Sequence, residues 1–132
     1  KEQFPVGRTV CSVEEMTEPN LRPQESGNRC DCVCASLRKG LMDKGDGPEI
    51  SFEAVETSFE LGIKPYTDRA LCDMKHRSDE ICTGTYVTIQ AFQQGIGTGA
   101  CGPGVMPEYQ YPANREYTLK FLICVRNESD LK

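Results

Sequence analysis

Tryptophan is absent from this sequence, and histidine occurs once, at position 76. One imidazole excludes two-histidine acid–base chemistry and histidine-rich metal sites. A Ser-His-Asp or Cys-His arrangement would have to use His76. That residue stands in Cys72-Asp73-Met74-Lys75-His76-Arg77-Ser78-Asp79-Glu80-Ile81-Cys82, a charged run that reads as exposed surface rather than a sheltered cleft. Aromatic residues make up only 8% of the chain, which leaves little flat surface to hold a sugar. Twenty acidic residues still leave open a hydrolase that uses a carboxylate pair.

The chain also lacks a polybasic tract and any apolar run long enough to span a bilayer. With a net charge of −5 its surface repels phosphate backbones and anionic lipid, so neither nucleic acid nor a membrane is an expected partner. No C-x2-C pair is present, which argues against a zinc–thiolate site, and no metal or cofactor is expected. Gly97-Thr98-Gly99-Ala100-Cys101-Gly102 matches G-x-G-x-x-G by letter only. Pro103, Gly104 and Pro107 follow it, where a dinucleotide site needs a helix to begin.

What the chain does have is cysteine: eight in 132 residues, at 11, 30, 32, 34, 72, 82, 101 and 124. An even count in a short chain predicts four disulfides formed in an oxidising compartment. The opening Lys1-Glu2-Gln3-Phe4-Pro5 reads as a mature end left after a signal peptide is removed. Both features predict a secreted protein. Asn127-Glu128-Ser129 is a glycosylation sequon consistent with that route. The length predicts a single domain over 1–132.

Along the chain, Arg8–Val13 reads as a short strand and 14–29 as an extended polar loop. If Cys30-Asp31-Cys32-Val33-Cys34 is extended, its three sulfurs share one face. Cys34, Leu37 and Leu41 at i, i+3, i+7 predict a short helix ending near Gly45. Phe52, Val55 and Phe59 repeat that spacing behind a Ser51 cap and predict a second helix, stopped at Gly62. Its Glu53, Glu56 and Glu60 read as a solvated face. Thr85–Phe92 and Tyr117–Arg126 alternate apolar and polar residues and predict strands. The resulting fold class is α+β: an antiparallel sheet with one or two short helices packed on it, tied by four disulfides.

The connection from Gln93 to Glu116 is far longer than an ordinary loop and rich in glycine and proline. Met106, Tyr109 and Tyr111 at its tip are the predicted binding residues, since amphipathic side chains anchor interfaces. Lys44-Gly45-Asp46 resembles the integrin-binding tripeptide of some venom disintegrins, but it lies where a helix-ending turn is expected. The mature length, the eight cysteines, the Cys30–Cys34 run leading into helix and the terminal strands together resemble the small secreted cysteine-rich effectors of plant-infecting fungi. That resemblance implies a virulence-associated, non-enzymatic protein that binds a host or partner protein. A toxin-like protein acting on membranes or channels is the alternative, and the acidic surface argues against it.

Overall fold

A computed structural model of the chain describes residues 7–17, 21, 27–39, 48–94 and 102–127. The described strands are β1 (Arg29–Cys32), β2 (Cys34–Arg38), β3 (Glu49–Ala54), β4 (Phe59–Lys64), β5 (Tyr86–Gln90) and β6 (Phe121–Arg126). They form two antiparallel sheets of order β1-β4-β5 and β2-β3-β6. Two short helices, α1 (Val13–Met16) and α2 (Asp68–Asp73), accompany them. The predicted antiparallel sheet with short helices therefore stands, but as two sheets face to face.

The segment predicted to be the second helix is two strands on opposite sheets. Phe52, Val55 and Phe59 do fit a helical face, yet Ile50-Phe52-Ala54 and Phe59-Leu61-Ile63 fit a period of two equally well, and the strand period prevails. Residues 55–58 carry the chain from one sheet to the other, so Phe52 and Phe59 meet across the sandwich. Leu61 and Ile63 complete the buried centre, with Ala35, Leu37, Val87, Ile89, Leu119 and Phe121 packed around it. Val55, expected on the buried stripe, is exposed. Ser51 sits mid-strand and caps nothing, and Gly62, expected as a stop, lies inside β4 opposite Thr88.

The first predicted helix is also a strand where it is described. β2 pairs with β3 from Cys34↔Glu53 to Arg38↔Glu49, which turns Ala35 and Leu37 inward and leaves Cys34 and Arg38 exposed. Leu41, Gly45 and the Lys44-Gly45-Asp46 turn lie outside the described residues. Of Thr85–Phe92, Tyr86–Gln90 is confirmed as β5, whose Val87 and Ile89 face the core. Tyr117–Arg126 is confirmed from Phe121 onward.

Cys30, Cys32 and Cys34 do not share a face. Asp31 takes a left-handed φ of 56°, the register of β1 slips between Arg29 and Cys32, and the chain changes sheet before Cys34. Cys32 turns partly into the core while Cys34 is exposed. Among the described residues no disulfide forms: Cys11, Cys30, Cys32, Cys34, Cys72, Cys82 and Cys124 are free thiols, and Cys101 lies outside the described residues. The four-disulfide framework is corrected accordingly, and what joins the strands is the apolar centre of the sandwich.

Residues 12–16 are a capped helical turn rather than strand and loop. Glu15 N donates to Ser12 Oγ (3.1 Å), and Ser12 N donates to Glu15 Oε2 (2.7 Å). Gly27, at φ 65°, passes so close under α1 that a β-carbon there would collide with the Met16 carbonyl oxygen. A second apolar cluster of Tyr66, Leu71 and Met74 gathers around α2. Thr67 Oγ1 caps that helix by accepting from Ala70 N (3.1 Å).

Candidate functional site

The pairing of β3 with β6 places Phe121, Ile123 and Val125 on the same face as Ala54, Phe52 and Ile50. That is the core face of the sheet. Its Phe52–Phe121 end is covered by the opposing sheet, with Phe121 set against Phe59 at a ring separation of 6.4 Å. The other end is not. Ile50 is 42% exposed, Ile123 58% and Val125 61%. Three aliphatic side chains on one face of adjacent strands thus stand in water, and Leu122 adds exposed apolar surface on the reverse side.

Behind this open end lies a row of charge. Arg38, Glu49 and Arg126 are register partners across β2, β3 and β6. The buried Glu49 carboxylate accepts from Arg38 (3.1 Å), and Arg126 stands 3.8 Å away. Burial pushes the Glu49 carboxyl up, but hydrogen bonds from Ser36 and Arg38 and the charges of both arginines outweigh it and hold it below its ordinary value. The carboxylate therefore ties three strands together. Both arginines are half exposed, which screens the pair, so Glu49→Gln is expected to cost about 1–2 kcal/mol at neutral pH. The depressed pKa fixes the sign of the pH dependence: the contribution is complete above the ordinary glutamate value of about 4.3 and is lost as pH falls through the folded value. Melting temperatures of the two proteins should thus differ at pH 7 and converge in acid. A gap that widens below pH 4 would contradict this role.

Among the described residues the other buried carboxylate is Glu60, on the opposite sheet, where Asn28 Nδ2 donates to Glu60 Oε2 (2.7 Å). One turn of strand further on, buried Lys64 pairs with Asp68 at the start of α2. Each of these groups has a partner that ties one element to the next. Glu49 and Glu60 alternate with the core-facing Ile50 and with Phe59 and Leu61 on different sheets, so both lie on faces turned away from the shared core and not toward each other. Among the described residues no three His, Cys, Asp or Glu side chains stand close enough to hold a metal ion.

The predicted binding residues Met106, Tyr109 and Tyr111 are all exposed, and they differ in their contacts. Tyr111 stacks on Phe92 (3.9 Å between centroids, 2° between planes), and Tyr117 sits edge-on to Phe92 at 4.7 Å. Tyr111 N also donates to Gln94 Oε1 (2.7 Å). Tyr111 therefore closes the base of the loop. Met106 and Tyr109 lie at its tip, Met106 as the cap of a single 3-10 turn over Pro107–Tyr109 and Tyr109 at the end of that turn. His76 is exposed, as its charged setting indicated, and Asn127 is exposed just past β6. The open end of β3 and β6 was missed in the sequence because Ile123 and Val125 alternate as core residues do, and alternation identifies a face without saying what covers it.

Among the described residues six strands in two layers, one of them half covered, define an antiparallel β-sandwich with an open apolar end. The profile of the family described as beta galactosidase small chain matches residues 1–123, and the chain belongs to that family. It is 31% identical over 106 residues to a beta-galactosidase of Psychromonas ingrahamii, covering 79% of this chain and 9% of that protein. It is 26% identical over 120 residues to a beta-galactosidase of Streptococcus thermophilus, covering 89% of this chain and 11% of that one. The chain thus spans about a tenth of the length of these relatives. No solved structure matches.

These matches correct the functional expectation. The chain is not of the fungal effector type but belongs to a family described by an enzyme's small chain, with beta-galactosidases among its relatives, and this corrects both the virulence and the non-enzymatic readings. The cysteine count misled because it was read as a crosslinking framework, whereas the described thiols are free. Among the described residues no helix is long and apolar enough to cross a membrane.

Proposed function

We propose that this chain is a component of a β-galactosidase, seated on the remainder of that enzyme through the open end of β3 and β6. The observation that carries this reading is the exposed Ile50–Ile123–Val125 surface on a sheet whose other end is a finished core. Covering three half-exposed aliphatic side chains contributes roughly 2–4 kcal/mol, enough to favour a docked state once the polypeptides are held together. Relatives about ten times longer supply the polypeptide to do so. The buried carboxylates of the described residues, Glu49 and Glu60, are committed to structural partners, so this reading assigns the pair that cleaves the glycosidic bond to the remainder of the assembly. The chain's part in the reaction is to complete the body that holds the site.

The test is to isolate the chain by antibody from cells that make it, under native conditions, and to assay hydrolysis of a nitrophenyl β-galactoside. Activity should accompany the chain, and Ile123→Lys with Val125→Lys should remove most of it. Both changes lie on exposed positions and leave the core in place. A chain recovered without activity, or a charged variant that retains all of it, would refute the reading.

A further inference from the structure

The phase of the β3–β6 ladder shows which backbone groups of β6 are spare. Val55 N donates to Lys120 O (3.2 Å), and the register continues through Ala54↔Phe121 to Glu49↔Arg126 without a slip. In an antiparallel pair the hydrogen-bonding positions alternate, so Lys120, Leu122, Cys124 and Arg126 turn their N–H and C=O groups toward β3. Phe121, Ile123 and Val125 turn theirs the other way. The same alternation holds on the far side of β3, where Ala54 N donates to Val33 O (2.9 Å). Among the described residues β6 ends its sheet, and no strand runs along that outer edge.

Edge strands are normally blunted by proline, a bulge or a charge placed over the edge. β6 reads Phe-Leu-Ile-Cys-Val-Arg, with no proline and no bulge. The flanking cations are turned onto its own sheet: Lys120 pairs with Glu56 (2.7 Å) and Arg126 stands near Glu49. The opposite edge strand, β2, shows the contrast. Its apolar Ala35 and Leu37 are partly buried, and its exposed positions are Cys34, Ser36 and Arg38.

Resting on the reading that the chain is a β-galactosidase component, we propose that β6 accepts a further strand from the remainder of that enzyme. The incoming segment is extended and carries apolar side chains at alternate positions. It satisfies the spare backbone groups of Ile123 and Val125 and flanks their side chains with its own apolar residues on the same face. The occupant is drawn from the polypeptide that the relatives carry beyond the matched tenth.

Hydrogen–deuterium exchange on the isolated, active assembly tests this within one strand. Amides of Ile123 and Val125 should exchange as slowly as those of Leu122 and Cys124, within about tenfold, because both edges of β6 are then bonded. Exchange about a hundredfold faster at Ile123 and Val125 would show an open edge and overturn the proposal, while leaving co-purified activity as separate support for the component reading. A second pair of variants separates backbone from side chain. Ile123→Pro removes the outward N–H, whereas Ile123→Thr keeps it. The proline variant should recover about tenfold less β-galactosidase activity with the chain, and the threonine variant a smaller loss. Equal recovery would overturn strand addition. So would slow amides found in a particle whose mass is two copies of this chain and which has no activity.

Discussion

Replacing Phe59 by alanine is expected to lower the unfolding free energy by about 3–5 kcal/mol. The ring is 1% exposed, on the strand that is buried along its whole length, and it faces Phe121 and Phe52 across the sandwich. Its removal leaves a cavity between two sheets, each pinned by its own hydrogen-bond ladder, so neither can move in to fill it. The loss is roughly a fifth or more of the stability of an ordinary domain. It should appear as a fall in melting temperature of roughly ten degrees or more. Glu56→Ala is the internal control. Its ion pair with Lys120 is exposed on both sides, so the change should cost at most about 1 kcal/mol. If both variants melted together, Phe59 would not lie between the sheets.

The same residue shows how far the sequence could be read. Its burial was legible, because a large apolar side chain at the centre of an apolar pattern has nowhere else to go. Its secondary structure was not. Phe52, Val55 and Phe59 satisfy a helical period, and only long-range pairing with β5 and β6 decides for strands. β5 was read correctly because its alternation is uninterrupted from Tyr86 to Gln90. The capping box Ser12-Val13-Glu14-Glu15 is a local signal for α1 within a stretch whose polarity suggests a loop, and Thr67 ahead of Ala70, Leu71 and Met74 is the matching one for α2. The candidate site was the least legible part. Whether Ile123 and Val125 are core or surface depends on the extent of the opposing sheet, a property of the whole fold and not of β6.

Leu71→Ala should be the second large loss, about 2–5 kcal/mol. α2 has six residues, too few for its backbone to be stable by itself, so it persists through what it buries. Leu71 is completely buried against Tyr66 and Met74, with Leu21 and Ala70 alongside. Truncating it releases the apolar anchor of the helix, and Lys64 loses the setting that holds it against Asp68. This cluster shares no residue with the one around Phe59. Their effects should therefore add in the double variant to within about 0.5 kcal/mol. Denaturant unfolding of the wild type, the two single variants and the double variant measures this directly. A coupling beyond about 1 kcal/mol would mean that β4, which carries Phe59 and leads into α2, transmits strain between the clusters. A loss at Leu71 below about 1 kcal/mol would mean that the helix is held by something other than its buried face.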